Sequence, residues 1–204
     1  MPEPSHTRLQ VDERRHQLVE AGSALFAEHA FEEISMREIA QAAGVSKALL
    51  YHYFPSKADL FAAAVEEKTL ELQRVLEPDR GVPAVEALAQ SLDAYLRWIE
   101  ANERMWAKLM QSAATLPQAR DAVEQFRART RERILAELAP GSPPRPALRS
   151  ALNGWLGSID AAIIDWIEHG DLAREQLRDL LIATFGAALL AARQADPEIE
   201  LRFG

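Results

Sequence analysis

Apolar side chains recur at three- and four-residue spacing along almost the whole 204-residue chain, and no stretch sustains the alternation of a half-buried strand. The pattern predicts an all-α protein of about nine helices. The first, Asp12 to His29, gathers Leu18, Gly22, Leu25 and Phe26 on one face. Two short helices follow between Ile34 and Lys57. A fourth runs from Ser56 to about Leu76, with Leu60, Phe61, Ala64 and Val65 inward. Ala84 to Ala101, Glu103 to about Thr115, Pro117 to Leu138, Pro146 to His169 and Ala173 to Arg193 complete the set, with Asn102 placed to cap the sixth. Met1 to Leu9 is polar and bears proline, and reads as a mobile arm. Pro78 to Pro83 and the run APGSPPRP, Ala139 to Pro146, read as loops.

Between Ile34 and Lys57 each helix boundary carries its own chemical signal. Ser35 and Glu38 have capping-box spacing, flanked by the Ile34 and Ile39 staple. Gly44 supplies the positive φ that ends this helix cheaply. Ser46 is placed to cap the next helix, Val45 and Leu50 repeat the staple, and Pro55 stops it within two turns. Two such helices around a tight glycine turn match a helix-turn-helix, whose second helix enters a DNA major groove.

The run IAQAAGVSKALLYHYFPSKADLF resembles the signature of the TetR family of bacterial transcription regulators, and the likeness extends over roughly Leu18 to Leu60, about a fifth of the chain. The resemblance implies an N-terminal three-helix DNA-binding domain, residues 1–57, with its helix-turn-helix at about 35–54. A C-terminal effector-binding and dimerisation domain, residues 58–204, would follow. It also implies a homodimer on a near-palindromic double-stranded operator, responsive to a small molecule, and more often a repressor than an activator. The family pattern places Lys47, Ala48, Leu49, Tyr51, His52 and Tyr53 at positions that usually meet DNA. One departure is Ala30, where the family usually has glycine; alanine there requires a strained backbone or a different cap.

Lys47 suits a base-edge contact with guanine, and Ala48 and Leu49 suit thymine methyls. Tyr51, His52 and Tyr53 suit phosphates, although one of the two tyrosines could equally be packing. Ser35, Arg37 and Ser46 stand at helix starts, where hydroxyls, N–H groups and charge favour phosphate, and Lys57 does the same from the start of the fourth helix. Leu50 and Phe54 belong to the core.

A net charge of −8 opposes non-specific DNA binding, yet Ile34 to Lys57 carries Arg37, Lys47 and Lys57 against Glu38 alone, which leaves a local basic face. The chain has no cysteine, so thiolate metal sites and cysteine nucleophiles are excluded. No segment reads as a signal peptide or a membrane span, which suggests a soluble cytoplasmic protein. His6, His16, His29, His52 and His169 form no metal-spaced pair, and neither a phosphate-binding glycine loop nor a nucleophile elbow is present. The expectation is a non-enzyme that needs no metal or cofactor.

In the helical body, Trp98, Met105, Trp106, Leu109, Met110, Phe126 and Trp155 are bulky, soft or aromatic, and either line an effector pocket or form plain core. Asn153, Asp160 and Asp165 could supply a polar anchor. The helices at about 146–169 and 173–193 carry broad apolar stripes with small residues (Gly154, Gly157, Ser158, Ala161, Ala187) between them. Paired across a two-fold axis they would make a four-helix bundle; the alternative is burial within one chain. A rival to the regulator is a helical module whose helix-turn-helix contacts protein instead of DNA.

Overall fold

The computed structural model describes residues 4–77, 81–139, 141, 143 and 145–201, with side chains from residue 11 onward. Among these residues the architecture is all-α: α1 (Pro4–Glu28), α2 (Met36–Ala42), α3 (Lys47–Tyr53), α4 (Lys57–Val75), α5 (Ala84–Ala101), α6 (Glu103–Ala113), α7 (Pro117–Leu138), α8 (Pro146–His169) and α9 (Arg174–Ala195). A single 3-10 turn, Phe31–Glu33, joins α1 to α2. No helix of the described residues is long and apolar enough to cross a membrane.

The bounds of α5, α7 and α8 are those the periodicity predicts. Pro146 occupies the first turn of α8, where a missing N–H costs nothing, and Gly170 ends it at φ +62 with its N–H donating to the Trp166 carbonyl. Ser56 caps α4 by accepting from the Asp59 N–H at 3.2 Å.

Two expectations are corrected. The arm assigned to Met1–Leu9 is helical from Pro4, while residues 1–3 lie outside the described residues. Proline is tolerated in a first turn, and no glycine or proline interrupts Ser5 to Val11, so α1 extends forward without an apolar face to announce it. Asn102 serves the helix before it and not the one after: its side-chain amide donates to the Trp98 carbonyl at 2.8 Å, closing α5. In the predicted loops, residues 78–80, 140, 142 and 144 lie outside the described residues, and the others are non-helical up to Pro146.

Packing divides the chain into two compact units. The first comprises the residues up to Leu70 together with Arg104–Val123. Its core contains Leu18, Ile39, Leu50, Leu60 and Phe61, and Ala119 of α7 is fully buried within it. Leu109, Ala113 and Leu116 pack against the same core, so α6 and the start of α7 take part in the packing of this unit. His16 on α1 meets Glu67 on α4 at 2.9 Å. A Cβ on Gly22 of α1 would lie 3.0 Å from Leu60 Cδ2 of α4, so the two helices approach through the missing side chain.

The second unit comprises Glu71–Glu103 and the chain from Glu124 onward. Its α8 packs along α9, with Leu152, Trp155, Ile159 and Ile163 buried on α8 and Leu177, Leu181 and Leu189 on α9. Trp155 donates its indole N–H to the Leu181 carbonyl at 3.1 Å and sits 4.7 Å from the Phe185 ring, so its polar atom is satisfied inside the core. Arg174 ties α9 to α5 through Asp93 and Glu100. Past α9, Ile199 is buried among Leu135, Leu138 and Leu148, while Arg145 bridges Asp196 and Glu198 and holds the Asp196 carboxyl below its ordinary value.

Because Leu60 is fully buried, its methyls have little room to yield to a side chain at position 22. Gly22→Val is expected to lower the unfolding free energy by about 1–3 kcal/mol, the usual cost of overpacking. Urea unfolding measures it, and an unchanged midpoint would disprove the close approach of α1 and α4.

Candidate nucleic-acid interface

The helix-turn-helix is built by local bonds that the sequence specifies. Ser35 has extended backbone, and its hydroxyl accepts from the Glu38 N–H at 3.3 Å. In return the Glu38 carboxylate accepts from the Ser35 N–H at 2.8 Å and from its hydroxyl at 2.6 Å, which completes the capping box. These bonds, the hydroxyl first, hold the Glu38 carboxyl below its ordinary value. At the far end of α2, Gly44 takes φ +65 and the Val45 N–H returns to the Ala40 carbonyl at 2.9 Å. A Cβ on Gly44 would meet nothing within 4 Å, so glycine is required there by backbone conformation alone. Ser46 then caps α3 through the Leu49 N–H at 3.1 Å.

The turn fixes which side of α3 faces the core. Leu50 and Phe54 are buried, and the Arg15 guanidinium of α1 lies 5.3 Å over the Phe54 ring. Away from that side Ala48, Leu49 and His52 are exposed, and Lys47 and Tyr51 are exposed along its edge, with Leu49 and Tyr51 showing 36% and 43% of their surfaces. The Lys47 ammonium rests 5.5 Å from the Tyr51 ring centroid, a cation–π pair one helical turn apart. Ser35, Arg37 and Ser46 are exposed as well. Tyr53 is half-buried, packs on the core and meets His52 edge-to-face, so of the two tyrosines it is the one that packs.

Lys57 is oriented differently from the phosphate contact expected of it. Its ammonium donates to the Phe31 and Ile34 carbonyls at 2.5 and 2.6 Å and lies 4.3 Å from the Phe31 ring. Ala30 adopts the different cap instead of strain. It sits at φ −65, ψ 149, and its N–H donates to the Glu33 carboxylate at 2.9 Å. Sequence reading singled out neither Glu33 nor Arg15. The three-residue spacing of Ala30 and Glu33 was the available signal for the first; Arg15 had only its place in a charged run of α1.

The effector candidates are divided. Met105, Trp106, Leu109 and Met110 belong to the first unit, with Trp106 buried and Leu109 against its core. Trp98, Phe126 and Trp155 belong to the second. There Trp98 is buried and its indole donates to Glu71 at 3.4 Å, while Phe126 stacks obliquely on Tyr95 at 6.4 Å. Of the possible polar anchors, Asp160 is engaged by Arg127 and Asn153 by Arg131; Asp165 is exposed.

Comparison with known proteins agrees with this geometry. Residues 18–64 match the pattern described as bacterial regulatory proteins, tetR family, and residues 85–188 match the tetracyclin repressor-like C-terminal domain. The chain is 46% identical over 59 residues to the HTH-type transcriptional activator FasR of Mycolicibacterium smegmatis, covering 29% of this chain and 27% of that protein. It is 32% identical over 76 residues to the HTH-type transcriptional repressor AcnR of Corynebacterium diphtheriae, covering 37% and 39%. The chain thus spans well under half the length of either curated relative. The crystal structure of a tetR-family transcriptional regulator from Streptomyces coelicolor superposes with a TM-score of 0.79 at 26% identity, over 92% of this chain and 85% of that one.

Replacing Ser35 by alanine removes the hydroxyl, the first of the bonds that depress Glu38, and leaves the backbone N–H in place. A depressed carboxyl stabilises the fold above its ordinary value, 4.5, and loses that contribution as pH falls through its folded value. Ser35→Ala is therefore expected to return Glu38 toward the ordinary value in an NMR titration. The variant should melt earlier than the parent at neutral pH, with the difference narrowing in acid to what the lost N-cap bond alone contributes; a Glu38 titration unchanged by the substitution would contradict the capping box.

Proposed function

This chain belongs to the TetR family of bacterial regulatory proteins, and from that premise we propose that it is a homodimeric, ligand-responsive, sequence-specific DNA-binding transcription regulator acting as a repressor. The observation that carries the proposal is the outer face of α3, where Lys47, Ala48, Leu49, Tyr51 and His52 stand exposed directly behind buried Leu50 and Phe54. Such a helix enters the major groove with its first turn leading. Lys47 donates to a guanine edge, steadied by the Tyr51 ring, and Ala48 and Leu49 meet thymine methyls. Tyr51, His52, Ser35, Ser46, Arg37 and the α2 N–H groups hold phosphates and set register.

Two copies joined through α8 and α9 would address two half-sites of a near-palindromic operator, about 34–36 Å apart or somewhat more. The outward surface of these helices supports that pairing. Leu180 and Leu190 are 51% and 63% exposed, and Cβ atoms added to Gly154 and Gly157 would meet nothing within 4 Å. Exposed Ala161, Ala183 and Ala187 extend the same small, apolar relief, which allows close helix approach.

The effector is a small apolar or aromatic molecule, in keeping with Trp98, Phe126 and Trp155 of the second unit. Release from DNA follows a population shift in which the liganded state carries α4 to an angle that misplaces the reading helices; a coupling of about 1–3 kcal/mol corresponds to a 5- to 150-fold loss of affinity. A regulator of this kind acts in the cytoplasm, where the bacterial chromosome lies.

Lys47→Ala and Tyr51→Phe are expected to weaken operator binding, measured by fluorescence anisotropy, with melting temperature unchanged. Wild-type affinity should fall steeply as salt rises; a flat salt response would instead favour a helix-turn-helix used for protein contact. Leu180→Asp is expected to convert the dimer to monomer in sedimentation velocity, and a variant that stays dimeric would reject the α8–α9 pairing.

A further inference from the structure

Lys57 opens α4 where the 3-10 turn delivers the chain into α2. Its ammonium crosses back to that turn, donating to the Phe31 carbonyl at 2.5 Å and the Ile34 carbonyl at 2.6 Å. The Phe31 ring lies beneath it at 4.3 Å. An ammonium has three donors, and here two carbonyls and an aromatic face surround it. Ile34 immediately precedes Ser35, so holding the Ile34 carbonyl fixes the peptide from which the cap of α2 begins. Phe31 is in turn packed edge-on against Phe61, which also belongs to α4. The first turns of α4 therefore grip the entry to α2 twice, by charge at Lys57 and by ring contact at Phe61.

We infer that Lys57 is a positioning residue, a tether between α4 and the phosphate-facing end of α2, and not itself a phosphate ligand. Its consequence for DNA rests on the regulator reading, whereas the tether does not. With two donors on the carbonyls and the Phe31 ring beneath, swinging the ammonium out to phosphate strands these acceptors, which opposes the move. When α4 tilts, the ammonium moves with it. Either the two carbonyls follow and carry Ser35 with them, or the bonds part and the turn loosens. In both cases Ser35, Arg37 and the first N–H groups of α2 lose their register on the backbone of a duplex. Lys57 thus offers a short path from α4 to the phosphate contacts, separate from the spacing of the two reading helices.

Lys57→Met keeps the aliphatic stem and removes the donors, while Lys57→Arg keeps donors that can reach the carbonyls. In protein without DNA, amide hydrogen exchange at Ser35 to Glu38 is expected to accelerate in the methionine variant and to recover in the arginine variant. Operator affinity of the methionine variant is expected to fall about tenfold, with the slope of log affinity against log salt unchanged. Loss of a phosphate ligand would instead reduce that slope by about one. Unchanged amide exchange in Lys57→Met, or a slope reduced by one, overturns the inference. Should the methionine variant not fold, the wild-type Lys57 ammonium resonance decides: it should exchange slowly without DNA and keep its shift when operator is added, and a shift on binding overturns the tether. Because amide exchange is read without DNA, failure of the wild type to bind any operator would count against the regulator and leave the tether to be judged by exchange alone.

Discussion

The burial of Leu50 and Phe54 is the constraint on which the exposed surface of α3 depends. A helix as short as α3 is unstable alone, because nucleation costs more than two turns of hydrogen bonds return. It persists because those two side chains are removed from water, a contribution of about 1.5–3 kcal/mol each, and because Ser46 satisfies an otherwise orphaned N–H. With the inner side committed to the core that holds Leu18, Ile39 and Leu60, helical geometry turns Ala48, Leu49 and His52 outward, while Lys47 and Tyr51 flank the buried side and are exposed at its edge. Exposure of these residues thus follows from core packing and helix position and needs no separate device.

The same core explains why the first compact unit is more than its first three helices. Ala119 is fully buried in it, and Leu109, Ala113 and Leu116 lie against it, so parts of α6 and α7 share apolar contacts with α1 and α4. A rearrangement of α6 would alter the packing of a core that α4 shares. Close-packed interiors transmit such changes because they have few voids to absorb them. The Gly22–Leu60 approach leaves little slack between α1 and α4 as well.

Much of this was legible from residue order because the signals were local. Ser35 with Glu38, Gly44, Ser46 and Ser56 each act within four residues, and all form the bonds their spacing implies. What escaped was direction. Asn102 can serve the helix on either side, and only the position of the Trp98 carbonyl shows which. Lys57 at a helix start reads as a phosphate donor, but its stem is long enough to curl back to carbonyls more than twenty residues earlier in the chain. The beginning of α1 was missed because its first turns have no apolar stripe, and periodicity registers only helices that bury one face. The aromatic and methionine residues of α5 to α8 were recognisable as inward-facing, but their helical spacing carries no information on which unit each would join. That division depends on contacts made across many tens of residues.

Ala30 and Glu33 are a pair in which one residue excuses the other. By taking the free N–H of residue 30, the carboxylate lets the chain leave α1 in an ordinary extended conformation, and the demand for a glycine disappears. The two sites should accordingly drift together over evolutionary time. A lineage that exchanges the acid for a side chain unable to accept a hydrogen bond would come under pressure to recover the smaller residue three places earlier.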